Sequence, residues 1–241
     1  LVATCVLNEM QVLFCTGTAN CVNCLYISDG EVNGEVTEYL DCQDIKPFCM
    51  CVGETGSAWI CDKDSSPMMN LYKISTVTPP KLLSDVQINS GMSWIDDMCF
   101  VGLMIRNIEK PVIVCVGWIY DSARNHVYVV QCVNLNDRKI MWTVDKVMGI
   151  TIVPSCVTAA QESLYVVDMT LNYVYQLSLS RGEVLSVVLK PDQYDIHRPI
   201  RVSYNKNNTK KKLALLHGLE LEDQLEKLHF FLSWPKSTMI K

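Results

Sequence analysis

The 241 residues carry a formal net charge of −5, with 49% hydrophobic and 20% charged side chains. This balance excludes a disordered or fibrous chain and leaves enough length for one large domain with a sizeable core. Val, Ile and Thr number 57 against 7 Ala, and β-branched side chains lose rotamer freedom in helices but suit a pleated surface, which argues against an all-helical domain.

Taken in chain order, short apolar runs of strand length alternate with polar or Gly-containing turns. The first set is 1–7, 11–17, 22–28 and 34–40. The second runs Pro47–Val52, Ser57–Asp62, Asn70–Ser75 and Lys81–Val86, and the third Ser93–Met104, Pro111–Trp118, His126–Asn134 and Arg138–Val144. A fourth, the clearest, is Pro154–Thr158, Ser163–Asp168, Tyr173–Ser178 and 182–189, followed by 199–204, 212–216 and 227–232. Aromatic-x-x-Asp recurs at Trp59 to Asp62 and at Tyr165 to Asp168, and Pro47, Pro154 and Pro199 open three of the units. Lacking an amide donor, Pro is tolerated at the first residue of a strand, which places these three at the start of each unit's innermost strand. Four-stranded units repeating every 40 to 55 residues or so are the blades of a β-propeller, which buries each sheet face against the next. The expected fold is an all-β propeller of four-stranded antiparallel blades, one domain over 1–241 with blades at about 1–43, 44–90, 91–147, 148–193 and 194–241. A convincing fourth strand is missing from the last unit: either the parent protein holds a sixth blade upstream of these five, or the ring closes with five and Leu1 to Leu7 is a candidate to supply the closing strand.

Twelve Cys, at 5, 15, 21, 24, 42, 49, 51, 61, 99, 115, 132 and 156, fall mostly inside apolar runs. A free Cys packs as a small hydrophobe, so these are expected to be reduced core residues in a cytoplasmic chain. Cys21-x-x-Cys24 and Cys49-x-Cys51 have the short spacings of zinc ligands but no matching second pair, so neither a metal nor a cofactor is expected. No apolar run is long enough for a membrane-spanning helix, and Leu1 opens the sequence without a start Met or signal-peptide pattern. The chain reads as a domain of something longer.

The fourth unit, with Leu164-Tyr165-Val166-Val167-Asp168, Asn172, Val174-Tyr175, Leu177 and Gly182-Glu183-Val184-Leu185, resembles the NHL repeat, the propeller unit of many tripartite-motif proteins. The segment Arg198 to Asn205, with Lys212 to Leu216 and Leu228 to Phe231, is similar to the terminal region of such propellers. Receptor propellers of the YWTD type and lactonase-like propellers share part of this rhythm. The resemblance implies a propeller that selects targets for an E3 ubiquitin ligase whose RING lies elsewhere in the parent protein, and so no enzyme activity in this chain. A single-stranded RNA-binding NHL propeller and a lactonase-like, metal-dependent hydrolase are the alternatives.

Gly-x-Ser-x-Gly, phosphate-loop and His-Glu-x-x-His patterns are all absent from the sequence. Residues 1–62 hold one Lys and nine carboxylates, a net of −8, whereas 190–241 hold ten Lys and Arg against six carboxylates. The candidate RNA contacts are Lys206, Lys210, Lys211 and Lys212, on a basic hairpin followed by Glu220, Glu222, Asp223 and Glu226. Candidate protein contacts lie on loops between second and third strands and between blades: Lys63, Asp64, Met68 and Met69; Tyr120, Asp121, Arg124 and His126; Thr170, Leu171, Asn172 and Tyr173; Asp195, His197 and Arg198. Tyr and Arg are favoured interface anchors, and an exposed Met adapts to varied partners.

Overall fold

The computed structural model describes residues 3–8, 11–16, 19–28, 31–42, 44–54, 56–62, 68–77, 80–105, 108–160, 162–191, 199–205, 212–217 and 227–231. They form two compact units, Leu1–Val144 and Asp145–Lys241.

The first unit holds three four-stranded antiparallel sheets, each built from consecutive strands in chain order. These are β1 (Ala3–Asn8), β2 (Gln11–Cys15), β3 (Cys21–Ser28) and β4 (Glu31–Asp41), then β5 (Pro47–Val52), β6 (Ser57–Asp62), β7 (Met69–Ser75) and β8 (Leu82–Ile88). The third comprises β9 (Met92–Ile105), β10 (Ile108–Tyr120), β11 (His126–Asn134) and β12 (Lys139–Val144). The second unit opens with a two-stranded hairpin, β13 (Lys146–Val147) and β14 (Ile150–Thr151). There follow a four-stranded sheet, β15 (Pro154–Ala160), β16 (Ser163–Asp168), β17 (Tyr173–Ser178) and β18 (Val184–Leu189), and a three-stranded one, β19 (Pro199–Asn205), β20 (Lys212–His217) and β21 (Lys227–Phe231). This is the all-β propeller architecture expected from the repeat. In the first unit β5 lies beside both β1 and β9, and in the second β15 lies beside β19.

Side chains alternate across a strand, so a sheet packed on both faces needs apolar residues at consecutive positions. The second sheet does this. Met50, Ala58, Ile60 and Ile74 join Leu13, Cys15, Val22 and Cys24 in one core, while Cys49, Cys51, Trp59, Cys61 and Leu71 join Ile95, Met98, Ile113, Cys115 and Val129 in another. In the second unit Cys156, Val167, Val174 and Leu189 pack with Val202 of β19. Eleven cysteine side chains are described, none of them in a disulfide, and nine are buried. They act there as small apolar residues, and burial pushes the Cys42 thiol up to about 11, that of Cys132 to about 12, and those of Cys49, Cys99 and Cys115 well above the ordinary range.

Pro47, Pro154 and Pro199 each open the first strand of their sheet, and in all three sheets the register shifts by one residue directly after the Pro. β9 carries the equivalent irregularity at Asp96, between the pairs Asp97 with Val116 and Ile95 with Gly117. Gly117 is required there, because a Cβ would run into the Trp94 carbonyl oxygen. Register shifts also occur between third and fourth strands in every four-stranded sheet. Bulges of this kind blunt an outer edge against pairing with other chains.

One expectation is corrected. The amino-terminal strand β1 pairs with β2 in its own sheet and is not the missing fourth strand of the last set. Between the third and fourth sets in chain order, β13 and β14 form a short hairpin with Met148 (φ 55°) and Gly149 (φ 81°) at its tip. The closing basic hairpin falls outside the described residues except for Lys212, the first residue of β20.

Two measurements check this packing. Leu71 is fully buried and Leu82 is 49% exposed, so Leu71→Ala is expected to cost about 2–5 kcal/mol in denaturant unfolding and Leu82→Ala under about 0.5. The Asp96 carboxyl is raised from 3.8 to about 6, first by lost hydration and then by the Asp97 charge, against an opposing hydrogen bond from Trp94. Because the folded value is the higher one, ionising Asp96 destabilises the fold as pH rises from 4 through 6. Relative to its own difference at pH 4, Asp96→Asn is therefore expected to gain melting temperature over the wild type above pH 6. A melting difference that stays flat with pH would contradict this.

Candidate functional site

In the second and fourth sheets, Pro47 pairs with Asp62 and Pro154 with Asp168. The start of each first strand thus sits beside the end of the second, which brings the inter-sheet connections and the second-to-third loops to the same end of a sheet. Met92 opposite Ile119 repeats the arrangement in the third. Function in such a scaffold resides on these loops, held by rigid strands.

The best-built loop joins β10 to β11. Its backbone is closed by Asp121 N–H donating to the Asn125 carbonyl (3.0 Å) and Arg124 N–H donating to the Asp121 carbonyl (3.0 Å). The Asp121 carboxylate accepts from Ala123 N–H and Asn125 N–H (2.8 Å each) and from the Asn125 amide Nδ2 (3.0 Å). These bonds hold its carboxyl below the usual carboxylate range. Arg124 takes the left-handed conformation, φ 64°, uncommon for a residue with a side chain.

Aromatic rings flank the loop. Tyr120 pairs with His126 and Trp118 with Tyr128 across β10 and β11, while Trp94 of β9 pairs with Trp118 on its other side. The Trp118 and His126 rings stack, with centroids 4.1 Å apart and planes 11° from parallel, and Tyr120 meets both edge-on at 5.1 and 5.0 Å. Trp94 donates Nε1–H to Asp96 (3.2 Å) and packs edge-on against Phe48 of β5. Tyr120 is 53% exposed and His126 is exposed, over a half-buried Trp118. The structure thus brings together Tyr120, Asp121, Arg124 and His126 as the sequence grouped them. Trp118, Trp94 and Tyr128 were missed, although their positions two residues from Tyr120, Asp96 and His126 place them in the same alternation.

The β16 to β17 loop is organised by Asp168, which is fully buried. Its Oδ1 accepts from Thr170 N–H (2.9 Å) and Leu171 N–H (3.1 Å), while Oδ2 has no partner among the described residues. Asn172 is left-handed at φ 58°. Thr170 is exposed, with Leu171, Asn172 and Tyr173 half-buried. The neighbouring Tyr175 hydroxyl is pushed up to about 12 by burial, then by the Asp168 and Tyr173 charges. Of the remaining candidates, Met68 is half-buried. Met69 is 1% exposed and packs in the core beside Cys115, with sulfurs 3.9 Å apart, so it is a core residue and not a loop contact. Lys63, Asp64, Asp195, His197, Arg198, Lys206, Lys210 and Lys211 lie outside the described residues. Among those described, no three His, Cys, Asp or Glu side chains come together as metal ligands would.

No known protein family's sequence profile matches the chain. No curated protein matches it in sequence either. Solved structures do match in shape. The chain is similar to one in a nidogen/laminin complex, at TM-score 0.53 and 11% identity over 79% of this chain and 64% of that one. It is also similar to Myxococcus xanthus glutaminyl cyclase, at TM-score 0.54 and 10% identity over 95% and 90% of the two chains. A protein of unknown function from Bacteroides caccae gives TM-score 0.57 and 10% identity over 89% and 69%. The chain therefore spans less than two thirds of the nidogen/laminin neighbour. At such low identity the likeness concerns fold alone, and that fold is the β-propeller.

Proposed function

We propose that this chain is a protein-recognition propeller of the NHL type that recruits substrates for a tripartite-motif-like E3 ubiquitin ligase, and that it performs no catalysis itself. The observation that carries the recognition reading is the β10 to β11 loop. It is fixed by its own hydrogen bonds before any partner arrives and exposes Tyr120, Arg124 and His126 beside an aromatic stack. Preorganised Tyr, Trp and Arg side chains are what binding hot spots are made of, because little conformational freedom is lost when they are covered. One structural neighbour comes from a complex of two proteins, nidogen and laminin, which agrees with a binding role for this architecture. The ligase context rests on the repeat in Leu164 to Leu185, and the cytoplasmic setting on the many buried cysteines, none of those described being in a disulfide.

The chain carries a formal net charge of −5, which disfavours phosphate backbones and puts RNA second to protein. Affinity capture from cell extract, comparing the wild type with a Tyr120→Ala, Arg124→Gln double variant, tests the proposal. Proteins retained by the wild type should fall roughly tenfold or more on the variant, at unchanged thermal stability, since an interface anchor contributes about 2 kcal/mol. Equal retention by both would sink the loop as the recognition element. Retention abolished by ribonuclease would give the site to RNA.

A further inference from the structure

We infer that the β10 to β11 loop end of the third sheet receives a cationic side chain, an arginine or lysine of a partner segment, on the exposed rings of Tyr120 and His126, backed by Trp118. This deepens the protein-recognition reading and rests on it. Three observations converge.

The first is the ring arrangement. Trp118 backs the exposed His126 ring at 4.1 Å, and Tyr120 stands edge-on to both, 53% exposed. Tyr128 and Trp94 extend the row on either side of Trp118 in the sheet register. Ring faces carry the negative part of the aromatic quadrupole and attract guanidinium and ammonium groups. The second is local acid. Asp121 closes the loop and Asp96 accepts the Trp94 indole N–H. The third is the surrounding charge, because residues 1–144 hold sixteen carboxylates against nine Lys and Arg, a background that draws a cation in and turns an anion away.

Arg124 has the opposite preference. It forms no ion pair among the described residues, and taken alone it would attract an acidic segment. The five rings and the acid excess outweigh one exposed cation at the loop tip, and Arg124 also provides the discriminating variant.

The test titrates the full chain with four synthetic Gly/Ser decapeptides, alike except for three Arg, three Lys, three citrulline or three Glu. Binding is read by tryptophan fluorescence and by NMR shifts at Tyr120 and His126. Arg and Lys peptides are expected to bind, citrulline at least tenfold more weakly because it keeps the shape but loses the charge, and Glu not at all. Tyr120→Ala should lose tenfold or more and Tyr120→Phe should keep binding. Melting curves of the Tyr120 variants confirm that the fold is kept. Equal binding of Arg and citrulline, or Arg binding indifferent to Tyr120→Ala, overturns the inference. Glu binding that disappears in Arg124→Gln assigns an acidic partner instead. If no peptide binds, the cationic reading fails, and the wider recognition reading is decided by the extract capture, which does not depend on the sign of the partner's charge.

Discussion

The described structure depends on one constraint: a sheet inside the stack has no solvent face to spend polar residues on. The inner strands β5 and β6 of the second sheet must supply apolar side chains to both sides, so their sequences read as continuous runs in place of the alternation seen in a sheet with one wet face. β6 shows the consequence, with Ser57 to Cys61 all buried. Met50, Ala58 and Ile60 serve one core, and Cys49, Trp59 and Cys61 serve the other. The same constraint accounts for the cysteines. Where two pleated faces close on one another, small polarizable side chains fill space between larger ones without straining rotamers. Four Cys and three Met share the core between the second and third sheets.

The strand pattern was legible because each unit keeps its own punctuation. Ser57–Asp62, Ser163–Asp168, Tyr173–Ser178 and His126–Asn134 have the bounds that the apolar runs and turns indicate. Departures occur where local chemistry hides the geometry. The β13 to β14 hairpin turns on Met148-Gly149, whereas a two-residue hairpin normally announces itself with Asn-Gly or Asp-Gly, since both central residues need positive φ. In β10, Pro111 looks like a strand start. The strand begins three residues earlier, because Ile108 to Pro111 still pair with β9 while β11 pairs only from Val112 onward. Met69 follows a polar Ser-Ser-Pro stretch and reads as loop, but it opens β7 on the core side.

Recurrence of a residue in the repeat does not fix its local task. Asp62 and Asp168 both end a second strand opposite a Pro. Asp62 accepts the Lys46 N–H at 3.2 Å and so ties the approach to β5, whereas Asp168 turns its carboxylate onto the following loop. A carboxylate at this place accepts from backbone donors of the adjoining connections, which have no strand partner there. In the third sheet the corresponding position is Gly117, where β9 approaches so closely that no side chain fits.

That close approach also bears on the candidate site. Along β10, Val112, Val114 and Val116 share one face and are fully buried. The pleat continues past Gly117 to Trp118, half-buried, and Tyr120, 53% exposed. The recognition surface is therefore the outer end of a side-chain row whose inner residues are fully buried, on the face of β10 opposite Ile113 and Cys115. Its rings are held by sheet register, with Trp94 and Tyr128 on either side of Trp118, and the loop hydrogen bonds then fix only the last step from Tyr120 to His126. This explains why composition and turn residues pointed to Tyr120, Asp121, Arg124 and His126 but not to Trp118. A reading based on loops stops where the loop stops, while the supporting ring lies in the strand and is found only by following its alternation inward.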